Sequence, residues 1–118
     1  MGAGYGGMGA NGNNDGPGLT YGSASTPDQP GSGGRQTETT LSGVNGSGGG
    51  VVRIDAAGGT VTINGTITAN GNAATPQYVG GGSGGGIWIS CGTFAGTNGT
   101  IRANAGIPPA LSYGGGGG

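Results

Sequence analysis

The stretch GSGGGVVRIDAAGGTVTINGTITANG at 46–71 returns, slightly altered, as GGGSGGGIWISCGTFAGTNGTIRANA at 80–105. A unit that recurs at a fixed spacing predicts stacked repeats, because neighbouring copies bury what neither buries alone. Val52, Ile54 and Ala56 match Ile87, Ile89 and Cys91 at an offset of 35. Ile67, Ala69 and Asn70 match Ile101, Ala103 and Asn104 at an offset of 34. The one-residue slip is expected in the turn between strands, where changes of length are tolerated.

Within each copy the apolar residues fall at every second position, the period of a strand with one buried face. The inward set is Val52, Ile54, Val61, Ile63, Ile67, Ile87, Ile89, Cys91, Phe94 and Ile101. The outward set is Thr60, Thr62, Asn64, Thr66, Thr68 and Asn70 in the first copy, and Trp88, Ser90, Thr100, Arg102 and Asn104 in the second. No stretch has a 3.6-residue period, and glycine interrupts any helix. The fold expected is all-β: short parallel strands stacked as solenoid-like coils, with ordered polyglycine or polyproline-II-like segments between them. Parallel stacking follows because equivalent strands recur in the same direction after a full unit.

Glycine supplies 36 of the 118 residues. The inward side chains bury too little apolar surface to offset the ordering of so many glycines. Backbone hydrogen bonds, close backbone packing or neighbours in an assembly must therefore hold the chain. The whole reads as one module: 1–45 a glycine-rich and loop-like lead-in, 46–79 the first repeat, 80–113 the second, and 114–118 the start of an incomplete third.

Residues 1–18 carry glycine with a partial period of three, at Gly6, Gly9, Gly12 and Gly18. That period belongs to extended polyproline-II-type helices, which pack closely where every third residue lacks a side chain; a flexible linker is the plainer reading. Residues 19–34 read as loop from their Ser, Pro, Asp and Gly content. Residues 35–45 allow a short strand, with Thr37, Thr39 and Leu41 on one side. Pro76, and then Pro108 and Pro109, mark loops after each repeat.

The chain has no lysine and no histidine, and a net charge of -1. No basic patch can form, so nucleic acid is a poor partner. No apolar run is long enough to span a bilayer, so membrane insertion is not expected. Met1–Gly4 has neither the basic nor the apolar region of a signal peptide. A Gly-, Thr-, Asn- and Ser-rich chain without lysine still looks extracellular or cell-surface, and the expectation is a piece of a longer secreted protein. Cys91 is the single cysteine, so no intrachain disulfide forms; its match to Ala56 makes it a small buried hydrophobe.

Catalytic machinery is hard to assemble from these residues. Cys91 and the serines lack a histidine partner. Asp15, Asp28, Glu38 and Asp55 are scattered. Asn13-Asn14-Asp15-Gly16 lacks the regular spacing and closing glutamate of a calcium loop and reads as a turn. The glycine runs lack the Lys-Ser/Thr ending of a phosphate loop. No catalytic residue, metal site or cofactor is expected. Asn45, Asn64 and Asn98 head formal glycosylation sequons, which chance supplies in such a composition.

Trp88 is the sharpest single residue: alternation points it outward, as a stacking platform or as a ring lying over glycine backbone. The tyrosines, among them Tyr5 and Tyr113, all adjoin glycine and can cover it in the same way. Together with Gly115 and Gly117 they are the expected surface and assembly contacts.

The series GAGYGGMG at 2–9, TYGSAS at 20–25, GTITANGN at 65–72, GGGSGGGIWISCGTF at 80–94, GTIRANAG at 99–106 and YGGGGG at 113–118 resembles glycine-rich repeat regions of very large secreted or cell-surface bacterial proteins. The resemblance covers nearly the whole chain. It implies a β-solenoid-like module in a structural or adhesive setting, with no catalytic residues to carry over.

Three functions fit. The first is an extracellular structural protein that associates with itself, head to tail, into a filament or stalk; its support is the repeat and the unfinished third unit. The second is a glycan-binding adhesin module at a cell or phage surface, using Trp88 and the glycine-rich loops. The third is ice binding by the threonines at alternate positions 60, 62, 66 and 68, an array that Arg102 interrupts in the second copy.

Overall fold

A computed structural model describes residues 5–9, 16–35, 44–75, 79–107 and 118. It contains strands and no helix among these residues: β1 (Val51–Thr62), β2 (Thr66–Thr68), β3 (Gly86–Ala95) and β4 (Thr100–Arg102). Each repeat contributes one strand to each of two parallel sheets, β1 beside β3 and β2 beside β4. Two short sheets are what these residues form; a closed coil is not among their features.

The register follows the sequence match. Val52 pairs with Ile87, Ile54 with Ile89 and Ala56 with Cys91, an offset of 35. The slip, however, is not a single event in the turn. Thr60 pairs with Thr93, an offset of 33, so two extra residues of β1 bulge out between Ala56 and Thr60. Thr66 then pairs with Thr100, an offset of 34, because the second turn restores one residue. Gly58 serves the bulge with φ of +71°, a left-handed conformation that side chains disfavour.

Burial alternates along the first half of β1, with Val52, Ile54 and Ala56 half-buried between exposed neighbours. Val61 and Ile63 are buried as expected. Two members of the inward set are exposed against expectation, and the other six, Cys91 among them, are half-buried. Phe94 is 57% exposed and Ile101 43% exposed, while Val61, the cross-strand partner of Phe94, is only 9% exposed. β1 and β3 are each other's only strand partner among the described residues, and residues 86–91 are no more exposed than 51–56, so the difference between Val61 and Phe94 is local to that end of the pair. Cys91 is half-buried, because the layer it joins is thin. On β3 the alternation fades, since Trp88 and Ser90 are half-buried like Ile87 and Ile89.

Asparagine side chains tie the levels together at the corners. Asn64 Oδ1 accepts the Thr97 N–H at 3.1 Å, and Asn70 Oδ1 accepts the Asn104 N–H at 2.9 Å. Both stand in the outward set, yet each reaches sideways to the next level rather than only into solvent.

The centre of the molecule is backbone. Every residue from 79 to 86 is buried. Gly80 N–H donates to the Arg35 carbonyl and Ser83 N–H to that of Ser32 (both 3.0 Å). Gly82 and Gly85 donate to Asn72 and Ala69 at 3.1 and 2.7 Å. The carbonyls of Gly80 and Ser83 accept from Gly46 and Gly49 at 3.0 and 2.9 Å, and that of Gly82 accepts from Gly106 at 2.9 Å. Residues three apart thus address the same neighbour, the period of an extended three-residue helix. The tract runs parallel to 46–50 and antiparallel to 31–35 and 69–72.

Such proximity excludes side chains. A Cβ on Gly85 would lie inside the carbonyl of Gly50, and one on Gly82 inside that of Ser47. Val79 and Ser83 are the exceptions within the tract: both side chains are fully buried, and Ser83 Oγ accepts the Ser32 N–H at 2.8 Å. The residues read as loop at 31–34 therefore include a bonded edge of the core. Of the strand suggested for 35–45, residues 36–43, with Thr37, Thr39 and Leu41, lie outside the described residues; Val44 makes an isolated antiparallel bridge with Thr75.

Candidate functional site

The lead-in does not trail away from the repeats. It folds back so that Tyr5 and Tyr21 stand beside Gly86, where the glycine tract becomes β3. A Cβ on Gly22 would meet Cε2 of Tyr5 at 3.0 Å, and one on Gly86 would meet its hydroxyl at 3.0 Å. Tyr5 is therefore sandwiched between two glycines, the covering role its sequence neighbours suggest. It is 3% exposed. Its ring meets that of Tyr21 edge to face, with centroids 5.0 Å apart and planes at 81°. The Tyr21 hydroxyl donates to the Pro30 carbonyl at 2.6 Å, which fixes its ring.

Among the described residues the buried Tyr5 hydroxyl has no hydrogen-bond partner. Burial raises its pKa above the usual phenol value; the Gln29 backbone opposes this without forming a bond of good geometry. The tyrosine pair forms one wall of a cleft of about 720 Å³. Thr20 and Ser23 continue that wall, and Ile87 and Ile101 line the side formed by the second repeat. Ser23 Oγ accepts from the backbone N–H and the hydroxyl of Thr26, both at 3.1 Å, closing a tight turn at the rim.

Trp88 lies elsewhere, on β3 opposite Arg53 of β1. The guanidinium carbon of Arg53 sits 4.5 Å from the ring centroid, in cation–π range. The ring is half-buried, with the Arg53 guanidinium over it. Tyr113, Gly115 and Gly117 lie outside the described residues. Gly118 is described: its N–H donates to the Ala103 carbonyl at 2.8 Å, and it lines the cleft.

Trp88 and Tyr5 are thus not brought together. Sequence marks Tyr21, like Tyr5, as adjoining glycine but not as the partner of Tyr5; Gly22 and the turn at Ser23–Thr26 are missed, within a segment read as plain loop. The Tyr-Gly pairs at 5–6 and 21–22 are the signal that could have grouped them. The threonines at 60, 62, 66 and 68 are all exposed along β1 and β2. Among the described residues no three His, Cys, Asp or Glu side chains gather as a metal site would need. No described helix is long and apolar enough to cross a membrane. Comparison with known proteins found no matching family, no similar curated protein and no similar solved structure.

Proposed function

We propose that this chain is a non-catalytic, extracellular structural module that stacks on copies of itself, head to tail, as levels of a solenoid braced by a polyglycine core. The observation that carries the reading is the unequal burial of paired positions. Val61 of the first level is buried, whereas Phe94 beside it on the second level is exposed, as is Ile101. The first level of another copy, laid on the second level of this one, would cover both.

Strand chemistry supports the same contact. Each sheet has two strands among the described residues, so β3 and β1 each keep an outer edge with unpaired backbone groups. β3 of one copy can take β1 of the next in the parallel register that the two already use within the chain. Arg53 of the incoming copy would then approach Trp88, repeating the cation–π contact. A contact between unlike edges does not close on itself and generates a filament. Sequence alone places this contact at the glycine termini; because Gly118 bonds within its own chain, the strands are the better location. Backbone pairing makes the association insensitive to salt.

Electron microscopy and sedimentation of the whole chain test the proposal. The expected result is fibres whose assembly persists in high salt. Phe94→Asp should leave the circular-dichroism spectrum unchanged and abolish fibres, because it sets a charge in the stacking face. A chain that stays monomeric at high concentration, or a Phe94→Asp variant that still polymerises, overturns the reading.

A further inference from the structure

We propose that the cleft between the tyrosine pair and the second repeat is a binding site for a neutral pyranose sugar, with the Tyr5 hydroxyl as its buried hydrogen-bond anchor. The inference stands on the cleft itself; Ile101, which lines it, also belongs to the face proposed for stacking, so the site is that of the unassembled chain and is tested there.

The volume of about 720 Å³ is in the range of small-molecule sites. The lining has two chemically distinct sides. Ile87 and Ile101 offer an apolar surface; Tyr5, Thr20 and Ser23 offer hydroxyls, and the flanking glycines offer uncovered backbone. No charged side chain is among the described lining residues. A pyranose matches this division, having an apolar C–H face and a rim of uncharged hydroxyls. A carboxylate ligand would be desolvated there without a counter-charge and close to the Asp28 carboxylate, whose charge acts on the Tyr5 hydroxyl.

Tyr5 supplies the second, independent observation. A buried polar group without a partner costs stability, so its retention calls for an explanation. Phenylalanine would fill the same space between Gly22 and Gly86 without that cost. The hydroxyl, closed off from solvent in the unliganded chain, becomes useful when a ligand oxygen displaces the groups covering it and accepts its proton or donates to it. The surroundings hold it in place: the edge-to-face contact with Tyr21, the Tyr21–Pro30 hydrogen bond and the two glycines leave the ring little freedom. A fixed donor loses little entropy on binding.

The test is amide-resolved NMR titration of the whole chain with glucose, galactose and N-acetylglucosamine, with glucuronate as the charged counterpart. At least one neutral sugar should shift amides lining the cleft, and glucuronate should bind more weakly. Tyr5→Phe should weaken that binding roughly tenfold, the equivalent of one hydrogen bond, while its melting temperature stays level or rises. Ala24→Leu, on the exposed rim, should reduce binding with the core unchanged, so a poorly folding Tyr5 variant would not spare the proposal. Three results overturn it: no neutral sugar shifts these amides; both variants bind like the parent; or Tyr5→Phe folds with a lowered melting temperature, which would mean that the hydroxyl serves the unliganded fold.

Discussion

Residues 79–86 and 86–95 are consecutive, yet they are held by different means. The strand β3 is held by a ladder to β1 and by side chains that alternate with a period of two, most of them half-buried. The glycine tract before it is fully buried and is held by its own N–H and C=O groups, with a period of three. In the strand, a side chain is what makes contact. In the tract, a side chain is what would prevent it. The difference predicts opposite responses to the same kind of substitution.

The largest effect is expected from Gly85→Ala, which drives one methyl into the Gly50 carbonyl. Backbone on both sides cannot yield, so a loss of about 4 kcal/mol or outright unfolding should appear in chemical denaturation. Gly65→Ala is the control. A Cβ there meets nothing within 4 Å, and the change should be neutral or stabilising by about 0.5 kcal/mol. Equal behaviour of the two variants would break the comparison.

Next comes the strand side. Val61→Ala removes a buried side chain and should cost about 1–3 kcal/mol. Phe94→Ala, at the paired position, should cost well under that in an unassembled chain, because the ring is already in water. If the two cost the same in monomers, the paired side chains are not differently covered.

Ser83→Ala probes the hydroxyl inside the tract. It should cost about 1 kcal/mol by removing the acceptor of the half-buried Ser32 N–H, measurable by denaturation and by faster exchange of that amide.

The smallest effect is a pH dependence. The raised pKa of Tyr5 favours the protonated phenol in the folded state. Its contribution is therefore complete below the unfolded value of about 10 and is lost as pH rises through the higher folded value. Thermal melts in alkaline buffer should show that decline, and Tyr5→Phe should flatten it.

Much of the strand region was legible. The offset of 35 between Val52 and Ile87 states the pairing partner, and the alternation Val52-Ile54-Ala56 states the face. Phe94 was misplaced because alternation specifies a side of the strand, not whether anything covers that side. The bulge at Gly58 was hidden because an insertion of two and a later gain of one leave a net slip of one. The cleft was the least legible part. Tyr5 and Gly86 are far apart in sequence, and a glycine next to a tyrosine does not state which distant ring will lie on it.

Sequence by itself determined the strand-only fold, the parallel register and the exclusion of a conventional core, because each follows from local periodicity and composition. Tertiary structure decided which segments surround residues 79–86, which of the paired side chains Val61 and Phe94 stays exposed and where Tyr5 is buried. Glycine has no side chain through which to encode a partner. Its neighbours are chosen by the backbone groups that the rest of the chain leaves within reach, and that choice exists only once the chain has folded.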